Sequence, residues 1–212
     1  TELLAAFGRE SPQPVQLESV GGVDAAKRVQ AGEAFDIVAL ASDAIDKLIE
    51  AGRLAPHSRV DLVRSGVAVA VRAGAPRPDI GSGEAVRQAV LAARTLGYST
   101  GPSGVQLQRQ FERWGIADTI KDRIVQAPPG VPVGRLVAEG QVELGFQQLS
   151  ELMNLPGIEV LGPLPDDIQI TTTFSAAVSA ACAQPDAARA LLAFMAAPAM
   201  DAIKRRNGME PS

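Results

Sequence analysis

Residues 35–52, FDIVALASDAIDKLIEAG, restrict the architecture more than any other stretch. FDIVALA is an unbroken apolar run, the pattern of a parallel strand buried on both faces. Ser42 stands where a helix N-cap belongs, Ile45, Leu48 and Ile49 follow at helical spacing, and Gly52 closes the segment. A strand feeding directly into an amphipathic helix is half of a βαβ unit, so this stretch alone points to an α/β chain.

The alternation repeats. TELLAAFGRE (1–10) places Leu3, Leu4 and Phe7 on one side of a helix, PVQLESV (14–20) reads as a strand, and DAAKRVQAG (24–32) as a helix. VDLVRSGVAVAV (60–71) is β-branched and lacks helix caps, which predicts a long strand. Helices at 84–93, 104–114, 117–122 and 131–139 then alternate with strands at 95–98, 123–126 and 142–147. IEVLG (158–162) and DIQITTTFSAAVSAAC (167–182) are strand-like again, and two helices close the chain, each with a proline near its start. The two longest extended stretches, 60–72 and 167–182, have no tight hairpin joining them and fit segments that cross between two lobes. TELLAAFGRE begins in mid-helix with no initiator Met, signal peptide or opening strand, and the expectation is that processing or trimming has removed a preceding segment.

Several function classes fall away. With 20 Lys and Arg against 24 Asp and Glu the chain is mildly acidic, and its densest basic cluster, 204–206, sits at a helix end where cations suit the dipole. No basic block interleaved with aromatics is present, which argues against nucleic acid as a partner. FSAAVSAACA (174–183), the longest apolar stretch, is too short to span a bilayer. Cys182 is the one cysteine and His57 the one histidine, so an internal disulfide and a His/Cys zinc site are both out of reach. GYSTG (97–101) has the look of a nucleophile elbow, but His57 is the only base available and a serine hydrolase is not expected.

What remains is a set of strand–helix junctions with one kind of chemistry. GYSTGPSGV (97–105) carries Ser99, Thr100, Ser103 and Gly104, with Ser103 at an N-cap position and free backbone N–H groups just beyond. Such a junction suits an anion. SVGGVDAAK (19–27) offers Gly21 and Gly22, LASDAID (40–46) offers Ser42, and APPGVPVGR (127–135) offers Gly130 with N–H groups near Val131 and Val133. In open α/β sheets such loops converge at the carboxyl ends of strands, where ligands gather.

The sequence resembles the molybdate-type periplasmic solute-binding proteins of ABC transporters. The resemblance is carried by residues 19–54, by YSTGPSG and FERWGI within 98–116, by VGRLVAEGQVELGFQQLSEL (133–152) and by residues 185–211. It implies the type II binding-protein fold: mainly parallel sheets flanked by helices, one lobe from 1–70 and 172–212, a second from 71–171, and a ligand cleft between lobes that closes by hinge motion. It also implies backbone donors near Pro102–Ser103 and Gly130. Gly21, Gly22 and Val23 stand where the family has Gly-Ser-Ser, and Gln148 stands where it has a binding Tyr.

The function this implies is capture of a small anion, an oxyanion or small carboxylate, for an ABC transporter. The expected contacts are Gly21, Gly22, Ser42, Arg64, Ser99, Thr100, Ser103, Gly104, Gly130 and Gln148, with Arg64 clamping a carboxylate in bidentate fashion. The expected setting is periplasmic, with a transporter permease as partner, a monomeric chain, and no cofactor or metal. Loss of two hydroxyls and gain of the Gln147 and Gln148 amides fit a larger, less symmetric ligand such as a small polycarboxylate. Isomerases of aconitate resemble this same family, so the alternative is an isomerase of a small tricarboxylate. Its allylic proton shift needs one acid/base group, for which Glu18, Asp24, Tyr98, Glu143 and Glu151 are the candidates. Thr172 is a further candidate for a hydroxyl at the hinge side of the cleft.

Overall fold

The computed structural model describes residues 2–212, so Thr1, the first residue of the expected opening helix, lies outside the described residues. In chain order the elements are α1 (Glu2–Glu10), α2 (Gly22–Gln30), β1 (Ile37–Ala41), α3 (Ser42–Glu50), β2 (Val60–Arg72), α4 (Gly83–Ala92), β3 (Leu96–Ser99), α5 (Pro102–Arg113) and α6 (Ala117–Ile120). They continue with β4 (Ile124–Ala127), α7 (Val133–Ala138), β5 (Leu144–Gln148), α8 (Leu149–Leu152), β6 (Ile158–Pro163), β7 (Thr171–Val178), α9 (Pro185–Ala196), α10 (Asp201–Arg206) and β8 (Glu210–Pro211). The fold is mixed α/β, and contacts divide the chain into two units. The first comprises the chain up to Arg64 with Thr173–Ser212, the second Ser65–Thr172. The chain passes from one to the other within β2 and again within β7.

In the first unit β1 pairs with β7, from Ile37 opposite Val178 to Ala41 opposite Phe174, and the pairing is antiparallel. The parallel direction expected for FDIVALA is thereby corrected. The apolar run is nevertheless real. Val38 and Leu40 pack with Val29, Ile45, Leu48 and Leu54, while Ile37 packs with Leu62, Val63, Ala188 and Leu192. Cover is complete only on the Val38 and Leu40 face, since Ala39 is exposed, and an apolar run says nothing about the direction of the neighbouring strand, which here arrives from the far end of the chain.

Residues 14–20 form no strand. Val15, Leu17 and Val20 are exposed, at 37%, 58% and 45%. β-propensity alone makes no ladder where no neighbouring strand lies alongside.

The second unit is built on the other half of β2. From Val67 opposite Gln148 to Ala70 opposite Gly145, β2 pairs antiparallel with β5, and it also pairs antiparallel with β6. Parallel pairing is confined to β3 with β4 and β5. Along β2 the side chains alternate in size. Val67, Val69 and Val71 enter the main core with Leu96, Leu107, Phe111 and Phe146, whereas Ala68 and Ala70 leave room for Leu152 of α8. This places β3, β4 and β5 side by side with their carboxyl ends at one edge.

Candidate functional site

That edge holds most of the expected contacts. Ser99 ends β3, and its register partner Ala127 ends β4. Gln148 ends β5. Loops lead from β3 to α5 and from β4 to α7, while β5 runs directly into α8. Ser99, Thr100, Ser103 and Gly104 thus gather at the start of α5, while Gly130 and Gln148 lie at the ends of the two adjacent parallel strands.

The start of α5 differs from expectation by two residues. Gly101 is the N-cap and Pro102 the first helical residue, so Ser103 lies inside the first turn and is buried. Proline suits that position because its fixed φ is already helical and it has no N–H to leave unpaired. No side chain caps α5, so the N–H groups of its first turn are left without a side-chain acceptor at the positive end of a 12-residue helix. The Ser99 hydroxyl accepts from Gly101 N–H at 3.4 Å. Among the described residues only His57 and Asn154 are non-glycine residues with positive φ, so Ser99 lacks the strained turn of a nucleophile elbow. Gly104 serves packing: a Cβ there would stand 1.8 Å from the Ser99 carbonyl oxygen. Its absence is what lets α5 begin hard against the end of β3.

At the ends of β4 and β5 the side chains form a relay. Gly130 is exposed in a turn at φ +78°, a backbone conformation that glycine tolerates best, and α7 begins three residues later. The first N–H of α7, on Val133, donates to the Gln147 side-chain oxygen at 2.8 Å. Gln147 is therefore a structural cap, which corrects its reading as an amide gained for a ligand. Gln148 is 4% exposed at the end of β5. Just beyond, Glu151 lies in the first turn of α8. Burial pushes the Glu151 carboxyl above the usual range, against a smaller lowering by a hydrogen bond from Gln147. The Glu151 side chain is nonetheless exposed to solvent. Ser150 anchors this turn through its hydroxyl, 3.2 Å from that of Ser65 on β2.

The first unit places its candidates separately. Gly21 is the N-cap of α2 and Gly22 its first residue, where a Cβ would meet only Leu40 Cδ2 at 3.8 Å. Packing does not demand glycine there. Ser42 is the first residue of α3 and not its cap, which is Ala41. Its hydroxyl donates to the Thr173 carbonyl at 2.8 Å and lies 3.0 Å from the Ser175 hydroxyl. That hydroxyl ties α3 to β7 and has no proton left for a ligand. Arg64 is exposed and sits in a short ladder opposite Glu210, making no salt bridge among the described residues.

The remaining acid/base candidates separate by environment. Glu18 is exposed and paired with Arg28 at 2.7 Å, and Asp24 lies half-buried in the first turn of α2. Glu143 lies ahead of β5, at the opposite end from Gln148. It accepts from the Arg94 backbone N–H at 2.9 Å and from the guanidinium at 3.0 Å, and these bonds hold its carboxyl below the usual range. Tyr98 is 4% exposed in the core beside Phe111, and burial raises its pKa. Thr172 is half-buried on β7. Val105, in the first turn of α5, is an exposed apolar residue on the helix face opposite Leu107 and Phe111. Among the described residues no cluster of acidic, His or Cys side chains could hold a metal ion, and no helix is long and apolar enough to cross a membrane.

The model of one family, bacterial extracellular solute-binding proteins, matches residues 1–210. The chain belongs to that family. Within it, an aconitate isomerase of a Pseudomonas species is 41% identical over 187 residues, covering 87% of this chain and 70% of the relative. Solved solute-binding proteins share the fold. The Azotobacter vinelandii periplasmic molybdate-binding protein superposes with a TM-score of 0.79 at 20% identity, covering 98% of this chain and 92% of that one. A periplasmic thiamin-binding protein gives 0.77 at 17%, covering 99% and 77%. The Mycobacterium tuberculosis sulfate-binding protein gives 0.71 at 15%, covering 90% and 74%. The likeness to molybdate-type solute-binding proteins and to their two-lobed fold is thus established. The variety of ligands in those names shows that the fold alone does not choose the ligand.

Proposed function

We propose that this chain is a periplasmic binding protein for a small carboxylate anion, delivered to the membrane permease of an ABC transporter. The observation that carries the reading is the start of α5: an uncapped helix N-terminus at the end of a parallel strand, on the edge where β4 and β5 also end. Backbone N–H groups there offer an anion its hydrogen bonds without any cluster of Lys or Arg. At the start of α2, in the first unit, Gly22 and Val23 stand where the resemblance gives the molybdate-type family two serine hydroxyls. The two lost hydroxyls weigh against molybdate, and the identity to an aconitate isomerase supports a small polycarboxylate instead. No cofactor is called for: a binding protein acts through its higher affinity for one conformation.

The same identity favours a second reading, an isomerase of a small tricarboxylate. The Glu151 carboxyl, in the first turn of α8 just beyond β5, is one titratable group of the kind that this reading needs and a binding protein does not.

Thermal unfolding with molybdate, tungstate, sulfate, cis-aconitate and trans-aconitate tests the ligand class. A ligand at about a hundred times its dissociation constant stabilises by roughly 2.7 kcal/mol. In a chain of this size that raises Tm by about 5–11 °C. Stabilisation by aconitate and not by the oxyanions is the expected outcome. Stabilisation by the oxyanions alone refutes the carboxylate reading.

A further inference from the structure

We propose that Ser103 and Gln148 are the specificity-determining pair of this site and select a carboxylate group over a tetrahedral oxyanion; the inference rests on the carboxylate reading above. The pair stands at the end of one packing seam. Leu107 and Phe111 of α5 pack in one core with Phe146 of β5, and the two phenyl rings lie 6.3 Å apart. Ser103 precedes Leu107 by one helical turn on the same buried stripe. Gln148 follows Phe146 by two residues, and its register partner Val67 belongs to the same core, so its side chain shares the face that α5 covers. The apolar seam therefore ends, at the carboxyl edge of the sheet, in a hydroxyl and a primary amide. Both residues are buried, 6% and 4% exposed, and among the described residues neither side chain makes a hydrogen bond. No sealed side-chain nitrogen or oxygen among them lacks a partner, so the surface that Ser103 and Gln148 keep includes their polar tips. Ser99 and Gln147 are by contrast engaged, with the N–H groups of Gly101 and Val133. Buried polar groups without a protein partner are uncommon, and two at the mouth of one seam mark a place for a ligand.

The donors at this end match a carboxylate. Ser103 and Gly104 follow a proline and precede Val105, the first residue of α5 whose N–H bonds back to Gly101, so their own N–H groups point out of the helix unpaired. The Ser103 hydroxyl and the Gln148 amide add two more donors, and the two oxygens of one carboxylate have about four acceptor sites. The amide also carries an acceptor that cannot turn away: its oxygen is fixed beside its N–H₂, whereas a hydroxyl rotates to suit its partner. A carboxylate has its oxygens at one end and meets the N–H₂ while leaving the amide oxygen clear of negative charge. A deprotonated tetrahedral oxyanion carries oxygens on every side and sets one of them against it.

The test titrates the wild-type chain, Ser103→Ala and Gln148→Leu with cis-aconitate, trans-aconitate and molybdate, reading Kd by calorimetry and the unliganded Tm by circular dichroism. The wild-type chain is expected to prefer aconitate, and each variant to bind it about tenfold or more weakly. Because neither side chain has a protein partner to lose, the unliganded Tm is expected to stay within about 2 °C of wild type or to rise. Gln148→Tyr, which puts a rotating hydroxyl at the same place, is expected to narrow the preference for aconitate over molybdate. Wild-type affinity for aconitate in both Ser103→Ala and Gln148→Leu, or weaker binding accompanied by a lower unliganded Tm, overturns the assignment of the pair and leaves the carboxylate reading standing. An unchanged preference in Gln148→Tyr overturns the selectivity assigned to the amide. No binding of either aconitate isomer to the wild-type chain overturns both the inference and the reading beneath it.

Discussion

Replacing Gly104 by alanine adds one methyl group where the backbone of β3 already lies. The new Cβ would stand 1.8 Å from the Ser99 carbonyl oxygen, 2.9 Å from its carbon and 3.1 Å from Tyr98 Cδ2. Non-bonded heavy atoms settle at about 3.5 Å, so roughly 1.5 Å of separation must be found. The obstacle is backbone at the end of a strand buried from Leu96 through Tyr98, so it cannot swing aside as a side chain would. The helix must move instead, and Leu107 and Phe111, 2% and 1% exposed, would lose their places against Tyr98 and Phe146. Overpacking of this kind costs about 1–3 kcal/mol, and a backbone obstacle belongs at the upper end. The gain in helix propensity from Gly to Ala returns at most about 1 kcal/mol. A net loss of about 2–3 kcal/mol lowers Tm by about 4–12 °C in a chain of this length. Thermal unfolding by circular dichroism measures it, with Gly22→Ala as the reference, because a Cβ there meets only Leu40 at 3.8 Å. Gly22→Ala is expected to melt within about 2 °C of the wild type. If Gly104→Ala does the same, the argument that α5 needs this close approach fails.

Two further perturbations probe the hydrogen bonds that shape the two units. Gln147→Leu removes the acceptor for the Val133 N–H and should cost about 1–3 kcal/mol, read as a lower urea midpoint; an unchanged midpoint would show that the cap contributes nothing. Ser175→Ala removes the 2.6 Å hydrogen bond that does most to hold the Asp61 carboxyl below its ordinary 3.8. Because the folded value is depressed, this stabilisation is complete above pH 3.8 and disappears as pH falls through the folded value. The variant should therefore lose about 1 kcal/mol at pH 7, where the half-exposed carboxylate is charged, and the difference from wild type should narrow below pH 3.8. A gap of constant size across that range would contradict the assigned cause.

Helix positions were legible in the sequence because periodicity, a proline at the first turn and a terminal glycine act within a few residues of one another. Pro185 opens its helix as expected, and Ile45 and Leu48 of α3 reach the core. The strand–loop–helix junctions at Ser99 and Gly130 were legible for the same reason. Chemistry beyond the local turn was not. FDIVALA marked β1 as a strand, but the exposure of Ala39 on one face and the antiparallel direction set by Thr171–Val178, more than a hundred residues away, were not legible in it. The duties of Ser42 and Gln147 belong to Thr173 and to Val133, and no nearby residue announces either partner. Glu18, Glu143 and Glu151 look alike as letters; Arg28 pairs the first, Arg94 holds the second below the usual range, and the third lies in the first turn of α8 with no salt bridge among the described residues. The sequence by itself determined the succession of elements and their apolar faces, since these depend on spacing along the chain. Tertiary structure alone decided strand direction, close approach and the ionisation of each carboxyl, since these depend on which distant groups come within a few ångströms.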